Sequence, residues 1–198
     1  AVERCLQEMC KEERYGTFKY GYLEKIEEIS PSSLYEYYQS FIVKSPVDIF
    51  VVGDVQVEEI QNLMEEVFSF PSGDKTKISP PVVHKDVQDS KVVEEKMNVK
   101  QGKLSLGYRT NIPYGDDIFP LLYYNGSLGG FPHSKLFQNV REKASLAYYA
   151  FSRLEKTKGL MVVSSGIEIE NYEKALAIIN EQVENMLKGE ITDYEFEN

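Results

Sequence analysis

The stretch of residues 128–153, LGGFPHSKLFQNVREKASLAYYAFSR, constrains the fold more than any other part of the chain. Gly129-Gly130 followed by Pro132 predicts a tight bend, because glycine and proline together interrupt regular structure. Apolar residues then recur on one face of a short predicted helix, at Leu136, Phe137 and Val140. The helix closes with Arg-Glu-Lys at 141–143, and basic side chains are favoured in a last helical turn.

Residues 146–151 follow as a predicted strand, because none of them is charged and two adjacent tyrosines lie in the middle. Strict alternation would place 146, 148 and 150 on one face, with 147, 149 and 151 on the other. Both faces are then apolar. Such a strand is either buried on both sides or has one side that lines a cavity.

Several pieces of this stretch together resemble the pitrilysin/insulinase family, the inverzincin metallopeptidases, and specifically the C-terminal type of domain in that family. The matching pieces are Gly129-Gly130, Ser134, Leu136-Phe137, Arg141-Glu142-Lys143 and Leu146-Ala147-Tyr148. The resemblance implies that Arg141 and Tyr148 reach into an active chamber and hold the substrate backbone beside a zinc ion that a different domain supplies. It also implies substrate contacts for Gly129, Gly130 and Ser134.

Arg141 and Tyr148 also have purely structural interpretations. An arginine near a helix C-terminus can cap carbonyl groups or pair with an acid, and a tyrosine within an apolar strand can belong to the core. Residue chemistry alone favours these structural roles, whereas the motif around the two residues favours substrate binding. Ser145 stands where the family commonly has glycine, so we expect a stiffer turn between Arg141 and Tyr148.

The zinc site of this family needs His-x-x-Glu-His, with two imidazoles and a carboxylate base on one helix, plus a distant glutamate. This chain has two histidines, His84 and His133, and neither has a neighbour at metal-ligand spacing. The sequence therefore predicts no metal site in this chain, and the resemblance implies zinc only in a longer polypeptide or in its partner. For His133 we weigh a metal ligand against a polar turn residue and favour the turn residue.

Charge and hydropathy argue against two kinds of partner. The net charge is −10, from 22 basic and 32 acidic residues, and no basic block interrupts it, so we expect no nucleic-acid partner. Apolar runs fall well short of the roughly 18 residues that a membrane-spanning helix requires, so we expect no membrane span.

The two cysteines bear on redox compartment. Cys5 and Cys10 lie five residues apart on a predicted helix, which separates them by about 140° around its axis. They cannot pair with each other without breaking that helix. We interpret them as reduced, buried thiols, and accordingly predict a cytoplasmic protein.

The predicted architecture is α+β, with antiparallel sheets covered on one face by helices in two related domains. Residues 1–70 are expected to form the C-terminal part of a first domain and 71–90 an interdomain linker, which holds three of the eight prolines. Residues 91–198 are expected to form most of a second domain. We expect the chain to be a fragment, because it opens within a predicted helix and Thr192–Glu195 has the form of a capping box close to its end.

The main predicted elements can be given in chain order. A helix is expected to begin at Ser30-Pro31, with serine as its N-cap and proline at its first position. The other predicted elements are strand 48–53, helix 57–68, strands 91–98 and 103–110, a helix capped at Asp116-Asp117, strand 159–169 and helix 171–187.

Two functions remain open at this stage. The first is a fragment of a pitrilysin-like zinc peptidase that binds a peptide or small protein substrate and contacts its carbonyl or oxyanion. The zinc-type domain would then lie upstream or in a partner subunit of the same family, as in a dimer. The second is a non-catalytic relative that serves as an assembly partner or a peptide-binding scaffold.

Overall fold

The computed structural model describes residues 1–68, 75–115 and 117–197. The chain divides into two compact units: a small unit, Lys19–Pro80, and a sheet unit, which combines Ala1–Phe18 with Pro81–Asn198. The domain boundaries at 1–70, 71–90 and 91–198 stay a prediction from the sequence.

The elements follow one another in a mixed order. The α-helices are α1 (Val2–Met9), α2 (Leu23–Ile26), α3 (Pro31–Lys44), α4 (Val57–Val67), α5 (Ile118–Asn125), α6 (Tyr172–Leu187) and α7 (Asp193–Glu197). The strands are β1 (Gly102–Arg109), β2 (Ala147–Glu155) and β3 (Leu160–Ile167). Two π-helical turns, π1 (Gly126–Gly130) and π2 (Phe137–Lys143), lie between α5 and β2. Short 3-10 turns occupy Arg14–Gly16 and Ile169–Asn171.

The small unit contains α2, α3 and α4. The predicted start of α3 is confirmed: the Ser33 amide donates to Ser30 Oγ at 3.1 Å and the Ser30 amide donates to Ser33 Oγ at 3.0 Å. The predicted strand 48–53 is wrong, because the described part of this unit has no other strand to supply its hydrogen bonds. Val52 is accordingly exposed.

The sheet unit is built on three antiparallel strands in the order β1-β3-β2. β3 lies in the centre and all eight of its residues are buried. The predicted strand 91–98 is wrong, since this segment forms no ladder with β1 in the described chain. Its charged side chains contact α1 instead, with Arg4 Nε donating to Glu95 at 2.6 Å and Lys91 pairing with Glu8.

Helices pack on both faces of this sheet. Towards α6 and π2, a core forms from Leu128, Leu136, Val140, Ala150, Met161, Val163, Ile179 and Met186. On the opposite face, α1 packs its Leu6 against Leu160 and Val162. A Cβ atom on Gly107 would lie 2.0 Å from Met9 Sδ, so glycine allows α1 to approach β1. The predicted α+β class is confirmed, and α1 adds a helix on the second face.

The segment after α1 is tied to the sheet by a buried ion cluster. Glu13 accepts a hydrogen bond from Arg109 at 2.6 Å and pairs with Lys158. The Tyr15 hydroxyl donates to Glu155 at 3.0 Å. The predicted burial of the two cysteines is confirmed for Cys10 and wrong for Cys5, which is half-buried. The segment Ala1–Phe18 is therefore part of the sheet unit, which the sequence did not indicate.

Candidate functional site

All the predicted site residues lie in one continuous stretch from π1 to the start of β2. Gly129 sits where π1 presses against β2, and a Cβ atom there would lie 2.4 Å from the Ser152 backbone nitrogen and 2.8 Å from Leu136 Cδ1. Only glycine fits such an approach. Gly129 is buried, whereas Gly130 is exposed at the tip of the turn. The close approach therefore presents Gly130, rather than Gly129, to a ligand.

Ser134 lies beneath the surface of the turn. Its amide donates to the Phe131 carbonyl at 3.1 Å, and its own carbonyl accepts from the Gln138 amide at 2.9 Å. Its hydroxyl is buried and has no hydrogen-bond partner among the described residues. A buried polar group without a partner is uncommon in folded proteins. In this conformation the Ser134 hydroxyl faces no solvent from which a substrate would approach.

Arg141 lies on the exposed side of π2. Its side chain is 43% exposed, and its guanidinium carbon lies 4.5 Å from the centre of the Phe137 ring. Its Nε lies 3.6 Å from Glu142 Oε1, and that carboxylate is also exposed. An exposed pair of this kind contributes little to stability. The guanidinium donors are therefore open to a ligand.

The passage from π2 into β2 is unusually tight. The Ala144 amide donates to the Asn139 carbonyl at 3.3 Å, and the Leu146 amide donates to the Val140 carbonyl at 3.2 Å. Between them Ser145 adopts a left-handed backbone, with φ of 52°, a conformation that costs a non-glycine residue free energy. Glycine would adopt this backbone conformation at lower cost than serine. π-helical turns and strained residues of this sort gather at functional sites.

Tyr148 is the extra residue of a β-bulge on an edge strand. Ala147 pairs with Ile167 and Tyr149 pairs with the next residue, Gly166, so Tyr148 has no partner in the register. The alternation predicted for 146–151 is wrong at this point, because the bulge places Ala147 and Ala150 against the same core. Tyr148 is 81% exposed, which excludes the core-residue interpretation.

The predicted residues thus separate into two groups. Gly130, Arg141 and Tyr148 are exposed, while Gly129 and Ser134 are buried and shape the turn from within. The bulge and the two π-helical turns are not visible as sequence periodicity, although the departure at Ser145 marks the region as irregular.

Metal ligands do not gather in the described ranges 1–68, 75–115 and 117–197, where no three His, Cys, Asp or Glu side chains lie together. His133 stacks on Phe131, with ring centres 5.4 Å apart, as a turn residue would. Over the same ranges, no helix has the length and apolar character needed to cross a membrane.

Sequence reasoning missed one buried ion pair behind the turn. Lys135 Nζ lies 2.8 Å from Glu195 Oε2, and the two side chains are 6% and 10% exposed. The capping box at Thr192–Glu195 is confirmed, since the Thr192 amide donates to Glu195 at 2.9 Å. The sequence signal for that box did not reveal that its glutamate also binds Lys135.

Comparisons with known proteins converge on one family. Residues 28–198 match the family model described as peptidase M16 inactive domain. The chain is 46% identical over 191 residues to the "probable inactive metalloprotease YmfF" of Bacillus subtilis (strain 168), covering 96% of this chain and 45% of that protein. It is 24% identical over 206 residues to the "uncharacterized zinc protease YmxG" of the same organism, covering 100% of this chain and 49% of that protein. The chain spans about half the length of these relatives.

Solved structures agree with the observed fold. A conserved protein from Enterococcus faecalis V583 superimposes with a TM-score of 0.86 at 34% identity, over 99% of this chain and 46% of that one. A peptidase M16 inactive domain from Pseudomonas fluorescens superimposes with a TM-score of 0.77 at 21% identity, over 98% and 47%. The second likeness concerns the fold alone.

Proposed function

This chain belongs to the peptidase M16 inactive-domain family, and from that premise we propose that it binds an extended peptide beside a zinc site carried by another domain. One observation carries the proposal: the junction of π2 and β2 exposes Arg141 and Tyr148 on adjoining elements. Neither side chain is used by the core of the sheet unit.

The chemistry of these two side chains suits peptide backbone. A guanidinium offers several charged N–H donors and a phenol offers one O–H donor, and both can reach carbonyl oxygen. When water attacks a carbonyl, negative charge builds on its oxygen, so a charged donor binds the transition state more strongly than the substrate. The zinc ion, where bound, supplies Lewis-acid polarisation and an activated water. Arg141 would then hold the developing charge, and Tyr148 would orient the peptide.

The partner that this proposal requires is a zinc-type domain of the same family. The matched relatives are about twice as long as this chain, which leaves room for such a domain in one polypeptide. A partner subunit would serve equally, in a homodimer or a heterodimer. We also propose a cytoplasmic location, because two cysteines whose helical spacing prevents them from pairing with each other suit a reducing compartment.

A second function is favoured by one specific observation. The relative that is 46% identical to this chain carries the name probable inactive metalloprotease. On this alternative the chain is a non-catalytic family member that holds peptides or assembles with an active partner. Peptide binding would then persist without turnover.

The experiment compares Arg141→Ala with Arg153→Ala in the assembly that contains the zinc-type domain. Arg153 is a matched control, because it lies on β2 with the same 43% side-chain exposure and contacts Glu3 and Glu155. We expect Arg141→Ala to lower kcat by about 10²–10³, the usual effect of removing one oxyanion donor. Arg153→Ala should stay within about twofold. Tyr148→Phe, which removes only the hydroxyl, should cause a smaller loss of the same type.

The outcomes separate the two functions. A change confined to KM would show that Arg141 binds ground state and transition state equally. Peptide binding without turnover in every assembly would support the non-catalytic function. If Arg141→Ala leaves both kcat and peptide affinity within about twofold while the protein still folds, the proposed site is wrong.

A further inference from the structure

The segment Thr192–Glu197, which we call the latch, packs behind the glycine turn. Its Glu195 carboxylate binds Lys135 Nζ at 2.8 Å and accepts from the Thr192 amide at 2.9 Å. The Glu195 amide in turn donates to Thr192 Oγ1 at 3.3 Å. One carboxylate therefore organises the start of α7 and holds a side chain of the turn.

The burial of Lys135 is the unusual feature. Lysine side chains normally extend their ammonium groups into water, and full burial is rare without a partner. Here only 6% of the side chain is exposed, and Glu195 is the acid that faces it. Burial would raise the pKa of the Glu195 carboxyl, but hydrogen bonds from Lys135 and Thr192 outweigh it and lower that pKa. Removing either partner would leave the other charge buried and unpaired.

The latch touches both arms of the turn. On the π1 side, the Ser127 hydroxyl donates to the Glu195 carbonyl at 3.5 Å. On the other side, the His133 ring meets the Tyr194 ring edge-on, with centres 6.4 Å apart. Within the turn itself, the Ser134 hydroxyl makes no hydrogen bond to a described residue. The latch therefore restrains both arms of the turn through side chains, in addition to the Gln138 side-chain amide, which donates to the Pro132 carbonyl at 2.7 Å, and to the core packing of Leu128 and Leu136.

We propose that Lys135 and Glu195 are positioning residues, which hold the Gly129-Gly130 turn in the conformation that receives a peptide. This inference rests on the proposed function of the site. It assigns the latch, distant in sequence from the turn, to the peptide-binding machinery. Loss of the ion pair should release the turn and leave the sheet intact.

Hydrogen exchange by mass spectrometry on the 198-residue chain tests the structural half. In Lys135→Met, we expect amides of residues 126–136 to exchange at least about tenfold faster, while those of β3 keep their rates. The matched control is Lys188→Met, which removes a lysine from an exposed pair with Glu184 at 3.6 Å. Lys135→Arg, or Lys135→Glu combined with Glu195→Lys, should restore protection of the turn.

Equal acceleration in the turn and in β3 would overturn the proposal, because it would mean that the pair only supports global stability. Unchanged exchange in the turn would overturn it as well. Should Lys135→Met fail to fold, Glu195→Gln decides by the same two criteria, because it keeps the size of the side chain and one acceptor oxygen but removes the negative charge opposite Lys135.

Peptide binding tests the functional half, in the assembly that contains the zinc-type domain and with a fluorescein-labelled alanine-rich peptide as the probe. We expect Lys135→Met to raise Kd about tenfold and Lys188→Met to leave it unchanged. A mobile turn with unchanged Kd would refute the positioning role. No binding by the parent assembly, with the exchange results as expected, would refute the proposed function and leave the latch as a structural device.

Discussion

Replacing Glu13 by glutamine tests how firmly the first 18 residues belong to the sheet unit. The carboxylate accepts a hydrogen bond from Arg109 at 2.6 Å and pairs with Lys158. The side chain of Arg109 is 5% exposed and that of Lys158 is 1% exposed. Burial would raise the pKa of the Glu13 carboxyl, but hydrogen bonds from Lys158 and Arg109 prevail and lower it. Glu13 is therefore charged at neutral pH and offsets two buried cations.

The magnitude follows from the unpaired charges. Removing one partner of a buried ion pair costs about 3–5 kcal/mol, because the remaining charge stays desolvated. The lower end applies here, since 18% of the Glu13 side chain is exposed and glutamine retains one acceptor oxygen. A loss of about 3 kcal/mol corresponds to a roughly hundredfold higher population of the open state.

Native-state hydrogen exchange of β3 is the assay, because this fully buried strand exchanges only when the unit opens. We expect Glu13→Gln to accelerate β3 exchange by roughly a hundredfold. Glu12→Gln is the matched control: its side chain is 88% exposed, 3.9 Å from Lys85, and the change should have less than about a threefold effect.

The double variant Glu13→Gln/Lys158→Met should lose less than the sum of the single losses, since it removes a buried cation together with its partner. If Glu13→Gln and Glu12→Gln exchange alike, Ala1–Phe18 does not depend on this ion cluster for its place on the sheet, and the reasoning fails.

Two further predictions concern the turn and the alkaline limit. Gly129→Ala should lower the free energy of unfolding by about 1–3 kcal/mol, because the alanine Cβ would lie 2.4 Å from the Ser152 backbone nitrogen. Urea unfolding followed by circular dichroism measures the change. Gly53→Ala is the control: its Cβ would have its nearest contact at 3.9 Å, so the free energy of unfolding should change by less than about 0.5 kcal/mol. Burial raises the pKa of Tyr15 and Tyr108 from the ordinary tyrosine value of 10 to about 12, and in Tyr15 the hydrogen bond to Glu155 adds to this effect. The folded state favours the protonated phenols. Their contribution to the free energy of unfolding is therefore fully present below pH 10 and is lost as the pH rises towards 12. The melting temperature should fall across that window, and less steeply in Tyr15→Phe; an identical profile would contradict the assignment.

Local signals in the sequence predicted the helices well. The serine and proline at the start of α3 and the capping box at Thr192–Glu195 are short-range devices, so their residues suffice to identify them. α6 and α4 follow from apolar periodicity, and their ends differ from prediction by a single residue. The predicted cap at Asp116 lies outside the described residues.

Strands were predicted less well, because a strand depends on a partner that its own residues do not specify. The segments 48–53 and 91–98 have apolar character, yet neither finds a ladder in the described chain. The predicted strands 103–110, 146–151 and 159–169 are confirmed as parts of β1, β2 and β3, which pair with one another. The bulge at Tyr148 reverses the alternation that the apolar pattern suggested, and a bulge leaves no periodic signal.

The candidate site shows the same division between local and distant causes. The sequence motif predicts which residues carry chemistry, and this stays a prediction; the structure shows that Arg141 and Tyr148 are exposed. The motif does not indicate what holds the glycine turn in place, because the close approach of Gly129 to β2 and the bond from Lys135 to Glu195 both join distant segments. A variant can therefore keep every residue of the motif and still lose the conformation of the glycine turn. Variants of the latch should reveal that loss first, since they leave every motif residue unchanged.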